Sequence, residues 1–139
     1  MSYYHSKQIV HRDLKSSNIL VTDNGDNVKI IDFGLSDRDY YAMFKQPAGT
    51  KRYAAPEQMD ANTVVDCRAD IYAFGKTLEL YLPKYALKKY HNIIKKCTQQ
   101  DRTKRYNNAG EIRQEIEDNN RKKNRRRLAI ILALLMIIL

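Results

Sequence analysis

Two short apolar runs stand out near the start of the chain, Ile19-Leu20-Val21-Thr22 and Val28-Lys29-Ile30-Ile31, both rich in β-branched residues. Between them Asp23-Asn24-Gly25-Asp26-Asn27 is dense in residues that tolerate left-handed turns, so the pair reads as a hairpin. Residues 1 to 8 read as the last two turns of a helix, followed by extended Ile9-Val10. From Leu35 to Tyr53 no periodicity is visible. Beyond Val65 the spacing becomes helical, with Ile71, Phe74, Leu78 and Tyr81 recurring every three or four positions. Pro83 ends that helix. Tyr85 to Cys97 predicts the next, with Leu87, Tyr90, Ile94 and Cys97 on one face. Leu128 to Leu139 is twelve apolar residues without interruption.

The hairpin organises a group of polar residues. Asn18 precedes its first strand and Asp32 follows its second, and the outer ends of a hairpin lie side by side. Asn18 and Asp32 are therefore expected to be neighbours, with Asp13, five residues before Asn18, curling back over them. Oxygen ligands in this arrangement suit Mg²⁺, with one carboxylate left to face a substrate.

Composition narrows the picture. At 139 residues, with 43% hydrophobic and 29% charged positions, one compact domain is expected and wholesale disorder is not. The net charge of +9 is local: six of the 25 basic residues lie in Arg121-Lys122-Lys123-Asn124-Arg125-Arg126-Arg127, and +9 − 6 leaves +3. No aromatic residue interleaves with that run, which argues against nucleic acid and for an anionic membrane surface. The two cysteines, Cys67 and Cys97, have no partners at metal-ligand spacing and fit reduced thiols in a cytoplasmic protein. Met1-Ser2-Tyr3-Tyr4-His5 has no apolar core and is no signal peptide.

His11-Arg12-Asp13-Leu14-Lys15-Ser16-Ser17-Asn18 and Asp32-Phe33-Gly34 resemble the catalytic loop and the metal-binding motif of the protein kinases. Lys15, two residues after Asp13, resembles the serine/threonine branch. The resemblance implies a protein-kinase-like α+β fold, here a mainly helical carboxy-terminal lobe with a short β-hairpin at the catalytic site and no amino-terminal lobe. It implies ATP and Mg²⁺ as cofactors and a protein substrate with a Ser or Thr acceptor. Asp13 would receive the hydroxyl proton, Lys15 would offset phosphoryl charge, and Asn18 and Asp32 would hold the metal.

Supporting roles follow from the same resemblance. Leu35 to Glu57 resembles an activation segment closed by Ala54-Ala55-Pro56-Glu57, with hydroxyls at Ser36, Tyr40, Tyr41 and Thr50. Thr50 matches the threonine placed against the catalytic aspartate. Arg12 marks enzymes switched by an activation-loop phosphate, and Phe33 and Gly34 complete the metal-binding motif. Asp70 matches an anchor that accepts hydrogen bonds from the catalytic-loop backbone, Arg105 matches the partner of Glu57 in a buried ion pair, and His5 matches a structural position. Between Tyr81 and Ile93 the chain lacks the further helix and docking loop typical of the family.

The expected organisation is a partial kinase domain over 1–118, a basic juxtamembrane segment over 119–127 and an apolar segment over 128–139. Twelve helical residues span roughly 18 Å against a hydrocarbon core of roughly 30 Å, so the apolar segment reads as a transmembrane helix cut off by the end of the sequence. The protein is thus expected to be a fragment of a single-pass membrane kinase whose catalytic part faces the cytoplasm. A homodimer through the apolar helix is compatible, although no small-x-x-x-small pattern appears. The alternative is a membrane-tethered, non-catalytic module descended from a kinase.

Overall fold

The computed structural model describes residues 1–22, 27–33, 51–60 and 62–138, with side chains described as far as residue 127. The chain divides into two compact units, Met1–Ala109 and Gly110–Leu139. In the first unit, helix α1 (Ser2–Ser6) leads into an extended segment, then a 3-10 turn at Ser16–Asn18 and the antiparallel hairpin β1 (Ile19–Val21) and β2 (Val28–Ile30). Ile19 faces Ile30, Leu20 faces Lys29 and Val21 faces Val28. A second 3-10 turn (Pro56–Met59) precedes helices α2 (Cys67–Tyr81) and α3 (Lys84–Cys97), and a third (Arg102–Lys104) follows them.

Helix α2 begins at Asp66, whose carboxylate accepts the Arg68 N–H as an N-cap. It ends one residue before Leu82, where the chain turns extended ahead of Pro83, and α3 starts directly after that proline. The expected apolar stripes are rotated from those observed. In α2 the five consecutive residues Ala69 to Ala73, with Gly75 and Thr77, are buried, whereas Tyr81 is 60% exposed. In α3 the buried positions are Ala86, Ile93, Ile94 and Cys97. Small residues explain the rotation, because they let a neighbour approach where large side chains would hold it off. A Cβ on Gly75 would lie 2.7 Å from both Cys97 Cβ and Thr98 Cγ2, so α2 and α3 touch at a point only glycine permits.

Among the described residues the core includes two clusters. Leu14, Tyr53 and Ala73 form one, flanked by Met1, Ile19, Ile30 and Phe74, and Ala55, Ala69 and Tyr72 form the other, flanked by Val65. Leu14 of the polar loop is thereby pinned to α2. The hairpin itself is open to solvent, with Leu20, Val21 and Val28 between 48% and 63% exposed.

The described residues of the second unit belong to one continuous helix, α4 (Ala109–Ile138), which carries an Arg113–Glu117 pair one turn apart. The basic segment over 119–127 and the apolar segment from residue 128 as far as Ile138, expected as separate stretches, share this helix. Among the described residues no helix is long and apolar enough to cross a membrane.

Candidate active site

The loop from His11 to Asn18 is held by α2. Asp70, 1% exposed, accepts the His11 N–H at Oδ2 (2.8 Å) and the Arg12 N–H at Oδ1 (2.8 Å). The buried His5 ring also reaches Asp70 Oδ2 at 3.2 Å. His5 Nδ1 accepts the Ala109 N–H at 3.2 Å, so the ring proton sits on Nε2 and is donated to Asp70. Three donors thus satisfy one buried carboxylate, and two of them are the backbone amides just before Asp13. The structural roles expected for Asp70 and His5 match these contacts.

His11 carries the support across to the second strand. Its Nε2 donates to the Ile31 carbonyl at 2.9 Å, and its Nδ1 accepts the Asp13 N–H at 3.3 Å. The Phe33 ring packs between His11, at 4.6 Å, and Tyr4, at 4.4 Å. Arg12 and Asp32 both adopt left-handed backbone conformations, with φ of 68° and 64°. Such conformations cost a non-glycine residue on the order of 1–3 kcal/mol and persist only where neighbours over-determine them, commonly at functional sites.

Asp13 is the centre of the polar cluster. Lys15 Nζ lies 2.6 Å from Asp13 Oδ2, and Asn18 Nδ2 donates to the Asp13 carbonyl at 2.9 Å and to Oδ2 at 3.3 Å. Asp13 Oδ1 takes no such bond among the described residues and can accept a hydroxyl proton. With its amide nitrogen turned to Asp13, Asn18 keeps Oδ1 as an oxygen donor, approached by Ser17 Oγ at 3.5 Å. The Ile31 N–H bonds the Asn18 carbonyl at 3.0 Å, which places Asp32 one residue beyond that bond, with its side chain exposed. The donor set is one amide oxygen and one carboxylate. That suits Mg²⁺, which takes one or two protein ligands and completes its shell with water and phosphate oxygens. No cluster of three or more His, Cys, Asp or Glu side chains that could bind a metal unaided occurs among the described residues.

The turn after Ala54 is tied to the floor of the unit. Arg105 Nη1 and Nη2 meet Glu57 Oε1 and Oε2 at 2.7 and 2.9 Å, a bidentate pair whose side chains are 0% and 7% exposed. The same guanidinium donates to the carbonyls of Gln99, Arg68 and Gln100 and lies over the Tyr72 ring. The expected buried pair is present. Gly34, Ser36, Tyr40, Tyr41 and Thr50 lie outside the described residues.

Three contacts were not read from the sequence. Gln58, 1% exposed, bridges the Ala55 N–H and the Arg12 carbonyl. Gln58 reaches back to the Ala55 N–H as the third residue of a capping box does, but Ala55 has no side-chain oxygen to complete the box, so the sequence carries no such signature. Ser16 Oγ donates to Tyr81 Oη at 2.9 Å, and the Tyr81 and Tyr53 hydroxyls meet at 3.2 Å. The Ser16 bond and then the Tyr53 bond hold the Tyr81 phenol below its usual range. The Tyr81 bond, followed by burial, pushes Tyr53 up.

A family model described as protein kinase domain matches residues 1–128. A Clostridium acetobutylicum protein named as a probable serine/threonine-protein kinase is 31% identical over 150 residues, covering 85% of this chain and 22% of that protein. Serine/threonine-protein kinase kin-29 of Caenorhabditis elegans is 43% identical over 79 residues, 56% of this chain and 10% of its own length. Human serine/threonine-protein kinase 10 is 38% identical over 84 residues, 56% of this chain and 9% of its own. The chain spans less than a quarter of each of these relatives.

Proposed function

Because the chain belongs to the protein kinase family, on its serine/threonine side, we propose that it carries ATP-dependent phosphoryl transfer to Ser or Thr hydroxyls of protein substrates. The observation that carries this reading is Asp13, aimed by the Asp70-anchored backbone and flanked by Lys15 and Asn18. Asp13 orients the attacking hydroxyl and takes its proton at Oδ1. Lys15, 2.6 Å from Asp13 Oδ2, would offset the charge of the transferring phosphoryl, while Asn18 Oδ1 and Asp32 would hold the metal. Mg²⁺ supplies neutralisation of the phosphate oxygens when bound.

The five glycines of the sequence form no Gly-x-Gly-x-x-Gly loop, so the chain supplies a carboxy-terminal lobe and its own grip on nucleotide is weak. The basic run ahead of twelve apolar residues supports a membrane anchor with the catalytic part on the cytoplasmic side.

The test is phosphate transfer from labelled ATP with Mg²⁺ by the purified chain, compared with Asp13→Asn. Removing the proton acceptor is expected to lower the rate about 10²-fold or more. Equal rates in both proteins would sink the catalytic reading in favour of a non-catalytic interaction module. Flotation with anionic and neutral vesicles tests the anchor separately.

A further inference from the structure

A side chain that is polar and 1% exposed, as Gln58 is, is costly unless both ends of its amide are used. They are used here: Oε1 accepts the Ala55 N–H at 2.7 Å, and Nε2 donates to the Arg12 carbonyl at 3.0 Å. That carbonyl and the Asp13 N–H belong to the same peptide unit. Since the Asp13 N–H goes to His11 Nδ1, one peptide plane is held from both ends, by Gln58 on its oxygen side and by His11 on its hydrogen side. It is the plane from which the Asp13 side chain departs.

Asp70 does not do this work. It holds the His11 and Arg12 N–H groups, both upstream of the plane. Arg12 meanwhile sits at φ 68°, where a non-glycine residue relaxes unless something stops it. We propose that Gln58 is a positioning residue for Asp13, fixing the Arg12–Asp13 peptide and joining it to the Pro56–Met59 turn. A shift of that turn then reaches the proton acceptor through one side chain, and the Arg105–Glu57 pair, one residue away, sets where the turn sits.

The kinetic half of this inference rests on the phosphotransfer reading, and the structural half does not. The experiment compares the full chain with Gln58→Met, which keeps the volume and loses both bonds, and Gln58→Glu, which can accept from Ala55 but no longer donate to Arg12. Amide hydrogen exchange at Asp13 is expected to quicken about tenfold in both, the loss of one ordinary hydrogen bond, with exchange at Ile71 to Ala73 unchanged. In phosphate transfer, kcat is expected to fall about tenfold with the KM for ATP within about twofold. Unchanged exchange at Asp13, or a rise spread evenly over α2, overturns the clamp whether or not the wild-type chain transfers phosphate. Faster exchange with an unchanged kcat overturns its bearing on the reaction. A wild-type chain without activity counts against the phosphotransfer reading and leaves the exchange comparison to decide the clamp.

Discussion

Exchanging Glu57 for Gln removes a charge from a site where its partner has no access to water. Arg105 makes five hydrogen bonds, two to Glu57 and three to backbone carbonyls, and its side chain is 0% exposed. In Glu57→Gln the guanidinium keeps its three carbonyls and one amide oxygen, but its charge is uncompensated and one N–H faces an amide NH₂. Breaking a buried pair this way costs about 3–5 kcal/mol. Arg105→Met should cost at least as much, because it strips the donors from three carbonyls and leaves the Glu57 carboxylate buried alone. The double variant Glu57→Leu/Arg105→Met should be more stable than Arg105→Met, since it removes the orphaned charge. Urea unfolding followed by far-UV circular dichroism measures all four proteins. With a slope of about 1–3 kcal/mol per molar, the single variants should lose on the order of 2 M in midpoint. A Glu57→Gln cost below about 1 kcal/mol would refute the reasoning, because that is the behaviour of a solvent-screened pair.

Other outcomes can be checked in the same preparations. Gly75→Ala should lower stability by about 1–2 kcal/mol in calorimetry, the helix-propensity gain offsetting only part of the clash with Cys97 and Thr98. For Asp66, burial pushes the carboxyl up, but the Arg68 side-chain and backbone hydrogen bonds outweigh it, leaving the folded value below the usual 3.8. The resulting stability is present above about pH 4 and lost as pH falls through the folded value. Asp66→Asn, which keeps a cap, should therefore be about 0.5–1 kcal/mol less stable than wild type at pH 7, and the gap should close in acid denaturation series below 3.8. In an ultraviolet titration of the ten tyrosines, one phenol should ionise below the usual 10.0; Tyr81→Phe should abolish that step, and Ser16→Ala should move it upward.

The hairpin and the boundary between α2 and α3 were legible because each is a local matter. Two β-branched runs around a turn-rich pentapeptide, and a proline between two helical periods, need no distant partner. The buried faces were less legible. Periodicity counts large apolar residues, so it chose Tyr81 over Ala69 and Gly75, whereas packing selects the small residues at which helices come close. Arg105 and Glu57, 48 positions apart, carry no local sign of pairing and came only from the family resemblance. Gln58 escaped because a polar residue next to a glutamate reads as surface, and nothing short of the fold shows that both ends of its amide are taken.

His5 receives its ring contact from Ala109, 104 positions away, and Asp70 gathers groups 58, 59 and 65 positions upstream. The loop beside Asp13 thus closes over nearly the whole first unit, and each closure must be met before the contact returns anything. During synthesis the loop emerges well before its ring support. It cannot reach its final form until the chain has grown past residue 109, so a nascent or shortened chain ending before that point should hold the right residues in an unassembled order.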